Sequence, residues 1–188
     1  MDTSTQPDID TDTSPRWYAM RDLSRSNVRE PAYKQLQDRH IKVFTPLTRR
    51  LSIERGRRVV RETPVIHDLL FVHDTRRNLD PIVLKMPNLQ YRYTHGGYCR
   101  PMTVRDDDMN RFIQAISTAA TTPRYYRPDE ITPAMYGRRV RIIGSNLDGY
   151  EGYLLSSRGT RRRRLLVTIP GIITAAIEIS PEYLEIIP

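Results

Sequence analysis

The chain has 188 residues, 28 % of them charged and 38 % hydrophobic, with a formal net charge of +8 and a pI near 9.9. That length holds one ordinary domain or two small ones. The sequence has no run of eighteen apolar residues, which excludes a membrane-spanning helix, and its N-terminus lacks the basic stretch and apolar core of a secretory signal. The single cysteine, Cys99, cannot make an internal disulfide, which fits a reducing cytosol. The positive charge suits a polyanion or an acidic protein surface. It is concentrated in the first half: residues 16–118 carry twenty Lys and Arg against eleven Asp and Glu, residues 134–188 eight against five, and residues 1–15 four acids and no base.

Residues 1–15 are mostly Asp, Thr, Ser and Pro with one isoleucine, too little apolar area to offset the entropy of ordering, and read as a disordered acidic tail. Trp17-Tyr18-Ala19-Met20-Arg21 then reads as a strand. Ser26 or Asn27, with Glu30 completing a capping box, predicts a helix in which Pro31 falls in the first turn and Val28, Ala32 and Leu36 form one stripe. Ile41–Leu47 alternates and reads as a second strand. Leu51–Arg61 is a strongly basic hairpin with Arg55-Gly56 at its tip. Val65–His73 is the most apolar run of the first half and reads as the central strand. A helix or loop to Lys85 follows, then a short strand Leu89–Tyr93 and a turn at Gly96-Gly97. Thr103 is placed to cap a helix in which Met109, Phe112, Ile113 and Ile116 recur at i, i+3, i+4, i+7.

Residues 119–133, with Pro123, Pro128 and Pro133 and no apolar period, read as a linker. Beyond it, Val140, Ile142 and Tyr153 sit in a period-two pattern around Gly144, Gly149 and Gly152, whose spacing allows a compact connection between two strands. Arg164–Ile169 and Ile172–Ile179 follow as strands joined by Pro170-Gly171. Four or five short strands in about fifty residues suggest a small barrel. Enzyme chemistry has little support. His40, His67, His73 and His95 have no metal-ligand spacing with Cys99, and no nucleotide-binding glycine pattern or nucleophile elbow occurs. Asp106-Asp107-Asp108 opens a predicted helix, where acids complement the dipole. No cofactor is implied.

The glycine-spaced hairpin, Val140-Arg141-Ile142 with Gly144, Gly149 and Gly152, resembles the KOW motif. Trp17-Tyr18-Ala19-Met20, Val43-Phe44-Thr45-Pro46 and Leu69-Leu70-Phe71-Val72 resemble, in order, three strands of an NGN domain. Together they resemble the NusG family of transcription elongation factors over about residues 16–188. Ile66-His67-Asp68-Leu69-Leu70-Phe71-Val72-His73 is similar to the UpxY branch, antiterminators on polysaccharide-biosynthesis operons. The resemblance implies an α+β fold: an NGN α/β sandwich with a mainly antiparallel sheet over residues 16–118, a linker over 119–133, and a small KOW β-barrel over 134–188.

The resemblance also implies binding without catalysis, in the cytoplasm, as a monomer. An NGN domain docks an apolar pocket on the clamp helices of RNA polymerase and suppresses pausing and termination, a population shift toward the elongating clamp. The pocket positions carried over are Ile66, Leu69 and Phe71, with Tyr18, Phe44 and Tyr91 as walls. Candidates for the non-template strand and upstream duplex are Arg21, Arg25, Arg29 and Lys34 near the first helix and Arg55, Arg57, Arg58 and Arg61 on the hairpin, where phosphate contacts would give salt-dependent affinity. Where some specialised members carry His-Thr-Thr for the polymerase gate loop, this chain reads Leu79-Asp80-Pro81. Pro170 stands where housekeeping members carry the aromatic that binds Rho, which points away from Rho and toward antitermination. Ribosomal protein S-ten is a further implied partner of the KOW domain, and nascent RNA is another candidate ligand, with Arg161-Arg162-Arg163-Arg164 at a hairpin tip. The Val/Ile/Thr-rich Val167–Ile179 favours a permanent barrel over the helical refolding of one relative. The rival reading is a ribosome- or RNA-binding KOW protein, which would account for the barrel and the charge but not for the Trp-Tyr and Leu69–Val72 strands in one α/β unit.

Overall fold

Trp17, Tyr18, Ala19 and Met20 are all buried in a computed structural model that describes residues 13–25, 30–54, 56–96, 99–156 and 162–188. Successive strand side chains point to opposite faces, so this strand must be covered on both. It is β1 (Arg16–Asp22). Its neighbours are β5 (Leu70–Asp74) on one edge and β6 (Leu89–Tyr91) with β7 (Thr103–Val104) on the other. β2 (Lys42–Phe44) extends the sheet beyond β5, and every pair is antiparallel. One face carries Tyr18, Met20, Leu70 and Val72. It packs on Ala32, Tyr33 and Leu36 of α1 (Ala32–Asp38) and Leu79 of α2 (Arg76–Lys85).

The structure shifts several element boundaries. The first helix starts at Ala32, with Pro31 extended at its N-cap and offering no side-chain cap. The cap comes instead from the far end of β1: the buried Asp22 carboxylate accepts the Ala32 N–H at 2.8 Å and the Ser24 N–H at 2.9 Å. Ser26, Asn27 and Val28 of the expected capping box and stripe lie outside the described residues. The expected second strand splits, because Pro46 has no N–H to give to a ladder. β2 stops at Phe44, and Leu47 opens β3 (Leu47–Glu54). β3 pairs with β4 (Arg57–Pro64) over eight residue pairs as a separate two-stranded sheet. The basic hairpin is therefore longer than its sequence pattern implied. Val65–Leu69 is not strand; the Val65 N–H is held by the Pro46 carbonyl at 2.8 Å and the Leu69 N–H turns back to Ile66. Leu79-Asp80-Pro81 is helical in α2, and Thr103 lies in β7 rather than capping a helix.

The chain divides into two compact units at Arg105/Asp106. The second opens with α3 (Asp106–Ser117), whose first turn holds the three aspartates and whose buried stripe is Met109, Phe112 and Ala115. α3 contacts β11 (Arg164–Ile169) and β12 (Ile173–Glu178). The remaining strands are β8 (Arg124–Tyr126), β9 (Tyr136–Ile142), β10 (Glu151–Leu155) and β13 (Leu184–Ile186). They pair antiparallel in the order β13-β9-β10-β11-β12-β8. Among the described residues this is an open path, which does not show the closed barrel suggested by the sequence. Arg124–Tyr126, within the expected linker, occupies the outer edge of β12. Among the described residues, no helix is long and apolar enough to cross a membrane.

Asp22 ties the end of β1 to the start of α1 through two otherwise unmet backbone donors. Asp22→Ala is expected to lower stability by about 1–3 kcal/mol, the cost of orphaning buried donors, read as a lower urea midpoint. Asp22→Asn, which keeps one acceptor oxygen, is expected to lose less.

Candidate functional site

Alternation along three strands builds the sheet face opposite α1 and α2. Val43 packs toward the helix-covered core, so its neighbours Lys42 and Phe44 point the other way. With them stand Phe71 and His73 of β5 and Trp17 and Ala19 of β1, set by the registers Phe44↔Phe71 and Trp17↔His73. The Phe44 and Phe71 ring centroids are 6.4 Å apart, those of Trp17 and His73 are 5.0 Å apart, and the Lys42 ammonium lies 5.1 Å from the Trp17 ring centre. Ile66 and Leu69 precede this face in the turn before β5, where the Thr45 hydroxyl donates to the Leu69 carbonyl at 2.9 Å.

The six pocket candidates are thus divided. Phe44 and Phe71 share the sheet face opposite α1 and α2, with Ile66 and Leu69 leading into it. Tyr18 and Tyr91 lie in the core under α1 and α2 and cannot wall the same groove. Their rings meet edge to face at 5.7 Å, and the Tyr91 hydroxyl donates to Asp80 at 2.7 Å. Phe71 is fully buried and Leu69 is 2 % exposed, whereas Phe44 is half-buried on the outer strand β2.

The basic candidates sit in different surroundings. Arg21 lies 3.6 Å from Asp68, which also accepts from Arg92 at 3.0 Å. This local pairing was invisible in the sequence because its partners are far apart in the chain. Arg25, Lys34, Arg57, Arg58 and Arg61 are exposed, while Arg29 and Arg55 lie outside the described residues. The hairpin register places Arg50, Arg57 and Arg61 on one face, and Arg58 on the other with the Arg49–Glu62 pair at 3.2 Å.

In the second unit, Val140 and Ile142 are fully buried. Arg141 faces out, bonded to Glu151 at 2.8 Å and lying 3.4 Å from Glu185, so that one guanidinium joins β9, β10 and β13. The hydrogen bond from Arg141 holds the Glu151 carboxyl below its usual range. Gly144 and Gly149 take positive φ, and the Gly149 N–H closes the turn on the Ile142 carbonyl at 2.8 Å. Gly152 has a different reason: a Cβ there would lie 2.8 Å from the Tyr150 ring. Sequence reading missed a polar cleft of about 420 Å³ between α3 and this turn, lined by Arg111, Gln114, Asp148 and Glu151. Gln114 donates to the Asn146 carbonyl across it.

The family model described as Transcription termination factor nusG matches residues 15–113. The chain belongs to the NusG family. Members of this family are transcription elongation and antitermination factors rather than enzymes, and they generally bind RNA polymerase. The match crosses the division at Arg105/Asp106 and takes in the first two turns of α3. Among solved structures, the chain is similar to the one titled "Domain interaction in Thermotoga maritima NusG", at 16 % identity and a TM-score of 0.49, covering 93 % of this chain and 98 % of that one. No curated protein matches the chain. Within this NusG-family chain, no group of three or more His, Cys, Asp or Glu among the described residues could hold a metal ion.

Burial raises the Tyr91 hydroxyl well above its ordinary pKa, with Asp80 adding to the effect, and pushes Tyr125 up to about 12. A raised folded-state pKa contributes stability that is intact below the ordinary tyrosine value of about 10 and is lost as pH rises toward the folded one. Stability should therefore fall between about pH 10 and 12. Absorbance titration is expected to leave these two tyrosines protonated at pH 11 in the native chain and ionised in urea.

Proposed function

We propose that this chain is a transcription antitermination and elongation factor of the UpxY type, serving polysaccharide-biosynthesis operons in the cytoplasm. Its first unit grips the clamp helices of RNA polymerase with the sheet face of Phe44 and Phe71. Leu69 and Ile66 shape that face from behind, and Phe44 is the residue through which it reaches the partner. A ligand that binds the closed, elongating clamp more tightly than the open one shifts the enzyme toward elongation by that difference in affinity. The arginines of the hairpin, with Arg25 and Lys34, hold the non-template strand and upstream duplex. The boundaries 16–118, 119–133 and 134–188 describe the NGN domain, linker and KOW domain of this reading. The six-stranded sheet would then be a KOW module, with ribosomal protein S-ten as a further partner and no role for Rho.

One observation supports this reading: the family match spans the two-faced α+β unit, and that unit bears an aromatic pair, Phe44 and Phe71, on the sheet face opposite α1 and α2. A KOW protein devoted to the ribosome would account for the second unit only. Phe44 offers a cleaner test than Leu69, because an acid at the buried Leu69 would unfold the unit. Phe44→Ser is expected to weaken binding to core RNA polymerase about tenfold, the loss of roughly 1.4 kcal/mol of apolar contact. Read-through of a terminator in single-round transcription should fall with it. Wild-type chain that neither binds polymerase nor changes read-through would refute the proposal, and recovery with ribosomal particles alone would favour its rival.

A further inference from the structure

The two faces of the β3–β4 hairpin differ in chemistry. Directly opposed residues are Leu51↔Val60 and Ile53↔Arg58 on one face, and Arg50↔Arg61 and Ser52↔Val59 on the other. Leu51, Ile53 and Val60 are 63 %, 74 % and 61 % exposed. Cross-strand neighbours stand about 5 Å apart and same-face residues along a strand about 7 Å, so the three aliphatics form one continuous strip. A two-stranded ribbon is marginal alone in water, and a contiguous aliphatic strip on such an arm marks an interaction surface.

Charge decides what covers it. Residues 47–64 hold six arginines against two glutamates. A second copy of the hairpin would bring like charges together, which opposes self-association. On the apolar face Arg49 is offset by Glu62, leaving Arg58 as the cation at the rim, whereas the register sets Arg50, Arg57 and Arg61 on the reverse with Glu54 opposite Arg57, a net positive face. Leu, Ile and Val offer no donors to phosphates or base edges. The basic reverse face suits nucleic acid, and the aliphatic strip suits protein.

We propose that the hairpin is a two-faced spacer: its Arg50–Arg57–Arg61 side meets nucleic acid, while its Leu51–Ile53–Val60 side docks on an apolar strip with a carboxylate at its rim on RNA polymerase. This rests on the polymerase-binding reading above and adds a second foothold, remote in sequence from Phe44 and independent of the sheet face. The arm would thus be held between enzyme and nucleic acid.

The test compares two variants of the full chain on nucleic-acid-free core polymerase and on an assembled elongation complex. Ile53→Thr/Val60→Thr keeps β-branched residues in the strands while removing apolar area; Arg50→Gln/Arg57→Gln/Arg61→Gln keeps the apolar face. The threonine variant is expected to lose about tenfold in affinity for free core polymerase with an unchanged salt dependence. The glutamine variant should match wild type there, but bind the elongation complex more weakly and with a shallower salt slope. An unchanged circular-dichroism spectrum and wild-type behaviour of the glutamine variant on free core keep folding out of the comparison. Wild-type binding to free core by the threonine variant would overturn the proposal while leaving the Phe44 contact standing. A defect seen only with nucleic acid present would overturn it in favour of a groove contact, and one seen only on anionic vesicles in favour of a membrane. Failure of the wild-type chain to bind core polymerase would remove both readings together.

Discussion

The pairing of β1 with β5 is the constraint on which the first unit depends. Each strand carries apolar residues on both faces, so the alternation of the backbone commits Tyr18, Met20, Leu70 and Val72 to one side and Trp17, Ala19 and Phe71 to the other. Two short helices cover the first side. A shift of one residue in this register would exchange the two sets and bring His73 and Arg21 into the core. The aromatic face and the helix-packed core are thus two consequences of one register.

Formal charge overstates what this surface offers to a polyanion. Arg21 and Arg92 share Asp68, Arg49 is engaged by Glu62, and Arg139 and Arg141 share Glu151. The exposed pairs among them contribute little stability, but all of them redistribute the field. The hairpin remains strongly positive because its six arginines meet only two glutamates. Its separation into an arginine side and an aliphatic side follows from the same period-two geometry that divides the main sheet.

Strand identity was legible where apolar runs were long and turns were marked. β1, the Leu70–Val72 segment, the glycine-spaced pair β9–β10 and the Pro170-Gly171 turn all follow from the sequence, because alternation and positive-φ glycines act locally. The start of α1 was hidden, since its cap is a carboxylate ten residues upstream. The strand formed by Arg124–Tyr126 was likewise settled by a neighbour distant in sequence, whereas the split at Pro46 follows from the missing N–H of that residue. At the candidate site, Phe44 and Phe71 could be grouped from the sequence, but Tyr18 and Tyr91 could not be separated from them. Which face a strand residue adopts depends on where the helices land, and no pattern within β1 or β6 encodes that.

The Asp22 carboxylate reaches over the intervening segment to the first N–H of α1. The helix is therefore held against the sheet twice, by this carboxylate at its first N–H and by the burial of Ala32, Tyr33 and Leu36. A change that loosens one of these holds leaves the other to keep the helix in its seat.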